Sequence, residues 1–220
     1  MPLQPDLESQ AFDFAKRTKD LLNRTVTDGV RLRCLIQEGG TVGWVGYSTN
    51  KQNPYPGVGI PLTLSRKKPR AFLHVMHTLV LDEAGRYLTA EQSSYGLYAD
   101  KALKRCVFHY DYIRRPDNSY PPAHFQVEGS SATLDELPAP FGVTHQLGDL
   151  HFPVGGKRFR PSLEDIVEFL IVESIADARD GWEVAIEEHR SKYQRIQLQA
   201  AVRRDPEAAR EALAEMDTEK

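Results

Sequence analysis

The residues best equipped for chemistry lie between Phe108 and Glu128, in the stretch FHYDYIRRPDNSYPPAHFQVE. Alternation from Lys104 to Ile113 sends Cys106, Phe108, Tyr110 and Tyr112 to one face of a strand and Val107, His109, Asp111 and Ile113 to the other. A Pro-rich turn from Arg115 to Pro122 leads into a second alternating stretch, Ala123 to Glu128, where His124, Gln126 and Glu128 share a face opposite Phe125 and Val127. Paired as a hairpin, the two stretches place His109 and Asp111 near His124 and Gln126, with Arg114 and Arg115 at the turn. Cleaving an RNA phosphodiester without a metal needs a base for the 2′-hydroxyl proton, an acid for the leaving oxygen and a cation on the phosphate. In that chemistry His109 and His124 form the acid–base pair, Asp111 orients His109, and Arg115 binds phosphate. The same residues also fit an ordinary hydrogen-bonded His–Asp pair on a strand surface.

A two-histidine, one-carboxylate set suits iron or zinc. Cupin-type sites, however, take two histidines one residue apart on one strand followed by a glutamate, and here the matching positions read H-Y-D and H-F-Q. No metal or other cofactor is therefore expected. His74 and His77, in LHVMH, are three residues apart, which on a strand sends them to opposite faces, one to the core and one to the surface.

Basic residues gather in four runs: SRKKPR with Arg66, Lys67 and Lys68, then KALKR from Lys101 to Arg105, then Arg114-Arg115, and GGKRFRP with Lys157, Arg158 and Arg160. The first and last supply the candidate nucleic-acid contacts. The last run leads into a helix start, where free N–H groups favour phosphate and Gly155 and Gly156 allow close approach. Neither a P-loop nor a G-x-G-x-x-G pattern is present. Each run alone reads as a solvated face, and convergence on one side is what would make a binding surface.

Positioning these residues requires a sheet, and the periodicities supply one. Leu7, Ala11, Phe14, Leu21 and Leu22 recur at helical spacing between Asp6 and Thr27. Strands are expected at Val30–Ile36, Val42–Tyr47, Gly59–Leu64, Ala71–Leu81, Tyr87–Ala90, Tyr95–Tyr98, the two stretches above, and Leu150–Val154. The segment STNKQNPYPGV (48–58) reads as an exposed loop. Ser162, with Asp165 three residues on, starts a helix carrying Leu163, Ile166, Val167, Phe169 and Leu170. After Asp180-Gly181, Trp182, Ile186, His189, Tyr193 and Ile196 form a heptad seam, and Pro206 begins a last charged helix. Strands in the middle with helices at the ends give an α+β fold with a mostly antiparallel sheet. The expected division is one domain over 1–178 and a charged helical extension over 179–220. The seam in 182–200 packs on the first helix or on a second copy of the chain, and the reading favours a homodimer.

The net charge of −3 argues against a general polycation, so any nucleic-acid binding is local. No apolar run approaches a membrane span, and MPLQPDLESQ has no signal-peptide character, so a cytoplasmic protein without membrane partners is expected. Cys34 and Cys106 then read as buried free thiols.

The order of a strand with H-Y-x-Y, an arginine and Asp-Asn turn (Arg115 to Asn118), a Pro-rich stretch, a histidine-bearing strand (Ala123 to Gln126) and a helix opened by P-S-L-E-D resembles the TumE-like family of presumed bacterial toxins over roughly residues 71–175. One histidine, His124, stands where several cluster in that family. The resemblance implies a toxin–antitoxin or defence setting, an antitoxin partner and nuclease activity. Two functions thus stay open: an enzyme acting on RNA, and a non-enzymatic interaction module that works through its terminal helices.

Overall fold

The computed structural model describes residues 6–55, 57–65, 68–117, 119–136, 146–156 and 160–218. The first helix, α1 (Leu7–Thr25), starts at Asp6, whose carboxylate accepts the Ser9 N–H at 2.9 Å. Its apolar stripe buries Leu7, Ala11, Leu21 and Leu22. Eight strands follow: β1 (Leu32–Ile36), β2 (Gly43–Tyr47), β3 (Ile60–Leu62), β4 (Ala71–Leu81), β5 (Leu88–Tyr98), β6 (Cys106–Ile113), β7 (Ala123–Val127) and β8 (Phe152–Pro153). They form one antiparallel sheet in the order β1-β2-β4-β5-β6-β7-β8, with β3 paired to the start of β4 beyond β2. The expected α+β architecture is the one observed.

The two pieces expected at Tyr87–Ala90 and Tyr95–Tyr98 are a single long strand, β5. Its polar middle, Glu91-Gln92-Ser93-Ser94, has no apolar alternation to announce it. Ladders to β4 and β6 on both sides hold it extended.

The sheet has an inner face, covered by helices, and an outer face. Leu73, Val75, Leu97, Phe108 and Tyr110 of the inner face pack with Leu21 and Leu22 of α1 and with α3 (Leu163–Val172). A capping box starts α3: Ser162 N–H donates to Asp165 Oδ2 at 2.7 Å while Asp165 N–H donates to Ser162 Oγ. Gly181, at φ 75°, then turns the chain into α4 (Trp182–Arg204), a conformation glycine adopts without a Cβ penalty. The last helix, α5 (Pro206–Thr218), continues from it.

The heptad seam of α4 lies on the protein's own α1. Ile186 is buried in the main core with Ala176, His189 meets Asp20 at 3.1 Å, and Arg24 pairs with Glu188 at 2.7 Å. Arg190 bonds Asp165 and Glu168, tying α4 to α3. The boundary expected at 178 therefore does not separate a core from an extension, because the first half of α4 is core. We expect Ile186→Ala to lower stability by about 2–5 kcal/mol. Ending the chain after Asp205 should change it by no more than about 0.5 kcal/mol, since α5 side chains are mostly exposed. Urea unfolding of both variants is the measurement, and a silent Ile186→Ala would place α4 outside the cooperative unit.

Among the described residues no helix is long and apolar enough to cross a membrane. Cys34 and Cys106 are free thiols on β1 and β6, with three strands between them.

Candidate functional site on the outer sheet face

Register, more than any single element, assembles the site. Residues directly opposite one another on neighbouring strands share a face. One row across the outer face runs His74 (β4), Gly96 (β5), His109 (β6), Gln126 (β7). The next runs Met76, Ser94, Asp111, His124 and Pro153 of β8. The pairing expected between the two alternating stretches is thus formed, and His109, Asp111, His124 and Gln126 occupy one patch. His109 and His124 are diagonal neighbours, a relation that corresponds to a backbone separation of roughly 7–8 Å.

The hydrogen bonds fix the tautomers. Gln126 donates its Nε2–H to the Gly148 carbonyl at 3.0 Å, in the 3-10 turn Leu147–Asp149, so its oxygen faces His109. His109 Nε2 lies 2.7 Å from that oxygen and 3.6 Å from Asp111 Oδ2, and it must be the protonated nitrogen. In the neutral ring the lone pair is then on Nδ1, 3.7 Å from Cys106 Sγ. His124 donates Nδ1–H to the Pro121 carbonyl at 3.0 Å, which leaves its lone pair on Nε2. Each histidine is held by an outer partner and carries one basic nitrogen. Burial pushes the Cys106 thiol pKa up, so it serves as an S–H donor to His109 and is not a thiolate nucleophile.

Sequence reasoning separated His74 from His77 correctly but assigned His74 no role. His74 sits across Gly96 from His109. Burial drives its pKa down to about 4, with Asp111 opposing and His109 reinforcing the shift. Its Nδ1 has no hydrogen-bond partner. Gly96 makes room for the Tyr98 ring beside the two imidazoles: a Cβ there would lie 2.8 Å from that ring and 3.4 Å from His109 Cβ. Gly96→Ala should therefore cost about 1–3 kcal/mol in urea unfolding and shift the His109 ring proton resonances. Unmoved resonances would mean that the glycine does not set this spacing.

His151 was also missed, since nothing in the irregular stretch before it marks it. It stacks on Tyr120 with ring centroids 3.7 Å apart and meets His124 edge-on at 4.8 Å.

The cationic candidates are dispersed. Arg115, 74% exposed, is engaged by Glu91 at 3.2 Å, at the end of β6 away from the His74–His109 row. Arg115 thus sits at the turn after β6, where the sequence puts it, and its partner there is a carboxylate. Lys68 and Arg70 precede β4, and Lys101, Lys104 and Arg105 occupy the β5–β6 turn, so both groups flank that row at one end of the sheet. The Gly59 N–H to Lys101 carbonyl bond, 2.9 Å, ties the approach to β3 to this turn. Arg160 lies over the ring of Tyr112, an inner-face residue, at 4.0 Å. The condition of all four runs converging on one face is therefore not met, because Arg160 is on the other side of the sheet. Arg66, Lys67, Lys157 and Arg158 lie outside the described residues. Among the described residues no three His, Cys, Asp or Glu side chains are grouped as metal ligands would be.

No family model matches the chain, and neither a curated protein nor a solved structure matches it.

Proposed function

We propose that the protein acts on RNA at the outer sheet face, as a metal-independent ribonuclease in the toxin or defence setting that the TumE-like resemblance implies. The observation that supports this most is the register that sets His109 and His124 diagonally on one face, each with one nitrogen anchored and the other basic. One histidine takes the proton from a ribose 2′-oxygen as that oxygen attacks phosphorus. The other, protonated, delivers its proton to the departing 5′-oxygen, giving a 2′,3′-cyclic phosphate and a free 5′-hydroxyl. Asp111 stabilises the imidazolium that forms at His109. The basic end of the sheet, with Lys68, Lys101, Lys104 and Arg105, attracts the phosphodiester chain. An antitoxin would be the protein partner in such a setting.

The test is induced expression with growth and total RNA integrity followed together, and purified protein incubated with RNA in the presence of a chelator. Cleavage that survives the chelator is the expected result. Intact RNA in both settings sinks the reading.

The interaction-module reading has its own observation. Leu198, Val202, Leu213 and Met216 are exposed on the end of α4 and on α5, with Leu198 66% exposed. Light scattering on the parent and on Leu198→Glu/Val202→Glu decides it: equal masses reject a homodimer through this region.

A further inference from the structure

The inner face of the sheet carries polar groups where a core is expected. One row runs His77, Ser93, Tyr112 and the next Tyr95, Tyr110, across β4, β5 and β6. The Tyr110 and Tyr112 hydroxyls, Ser93 Oγ and both nitrogens of His77 are buried without a hydrogen-bond partner. Buried polar atoms are normally satisfied, and orphans gathered in one patch call for a ligand or ordered water. Arg160 stands over Tyr112 at 4.0 Å, and its charge acts on His77, Tyr95, Tyr110 and Tyr193. Arg160 and Tyr193 are half-buried. Glu164, in the first turn of α3, is the carboxylate acting on the same tyrosines.

Apart from the Glu164 carboxylate, the patch presents hydroxyl groups and a cation. Burial pushes the Tyr95 and Tyr110 phenols well up, keeping them as O–H donors, and holds His77 neutral. Hydroxyl donors beneath a guanidinium suit an acceptor with several lone pairs and negative charge.

We propose that this inner-face patch binds an oxyanion, the phosphate or carboxylate group of a small molecule, with Arg160 at its mouth and Tyr110, Tyr112 and Ser93 in its floor. The site faces away from His109 and is independent of the ribonuclease reading.

The probes are inorganic phosphate and acetate, each titrated calorimetrically at constant ionic strength with chloride as the control. Saturable binding of either is expected, and the tighter one identifies the group. Arg160→Gln and Tyr110→Phe/Tyr112→Phe should each weaken that binding at least about tenfold, as loss of charge-assisted hydrogen bonds does. The double phenylalanine variant without anion should melt higher by ~2–4 °C, because it removes hydroxyls that nothing satisfies. The proposal is overturned by no saturable binding of either anion, or by unchanged affinity in the double variant. A lower melting temperature for the anion-free double variant would overturn it too, by showing that the hydroxyls already have partners.

Discussion

His109→Ala and His124→Ala, each folded like the parent, are expected to cleave RNA about 10²–10⁴-fold more slowly. The expectation follows from the anchored geometry. The Gln126 oxygen fixes the proton on His109 Nε2, and the Pro121 carbonyl fixes the proton on His124 Nδ1, so removing either ring removes an anchored proton carrier. Gln126→Leu is the accompanying variant. It keeps the imidazole of His109 but frees the ring to change tautomer, and should lower the rate while leaving RNA affinity unchanged. Surface histidines without such a role should change stability by no more than about 0.5 kcal/mol, so thermal unfolding of each variant separates the two cases. Full activity in both folded alanine variants would reject these histidines as the acid–base pair.

Acid should destabilise the protein steeply, starting near neutrality. His74 and His77 have folded pKa values of about 4 and about 3, below the ordinary value of 6.5, and burial is the main cause at each. A depressed histidine pKa means that the unfolded chain takes up the proton first as pH falls. The associated stability is fully present above about pH 6.5, declines below it, and is exhausted only near the folded values. Each group contributes a slope of up to about 1.4 kcal/mol per pH unit, so the two together approach roughly 2.7 kcal/mol per unit between pH 6 and 4. Asp82 titrates lower: burial pulls its pKa up, but the Arg86 and Tyr87 amides pull it down further, so its contribution fades only below the ordinary carboxylate range. Urea unfolding at pH 7, 6, 5 and 4 measures the slope. His77→Leu should remove about half of it, because the His77 ring packs edge-on to Phe14 at 4.7 Å and to Tyr95 at 5.5 Å and neither of its nitrogens makes a hydrogen bond. An equal slope in His77→Leu would show that the buried imidazole is not the titrating group.

Much of this architecture is local in origin and was therefore legible in the sequence. Alternation in Phe108–Ile113 and Ala123–Val127 set which side chains share a face, and the Pro-rich turn between them left an antiparallel hairpin as the simple connection, whereas the register shift between Leu97 and Tyr98 brings Cys106 to His109 against the alternation. Asp6 and the Ser162–Asp165 box marked helix starts through bonds that span three residues. A spacing of three on a strand was enough to put His74 and His77 on opposite faces.

What the sequence could not determine depends on partners far along the chain. His74 and His109 are 35 positions apart (109 − 74), and only the order β4-β5-β6, with Gly96 between them, makes them neighbours. The heptad seam specifies an apolar stripe but not its occupant, and α1 fills it because the sheet already holds that helix beside α4. Arg160 follows two glycines and precedes a helix start, which reads as a phosphate loop on the surface. Packing α3 against the inner sheet face carries Arg160 instead to the ring of Tyr112. Charge patterns along a chain record composition, whereas the side of a sheet on which a charge emerges is set by the tertiary packing of the element that carries it.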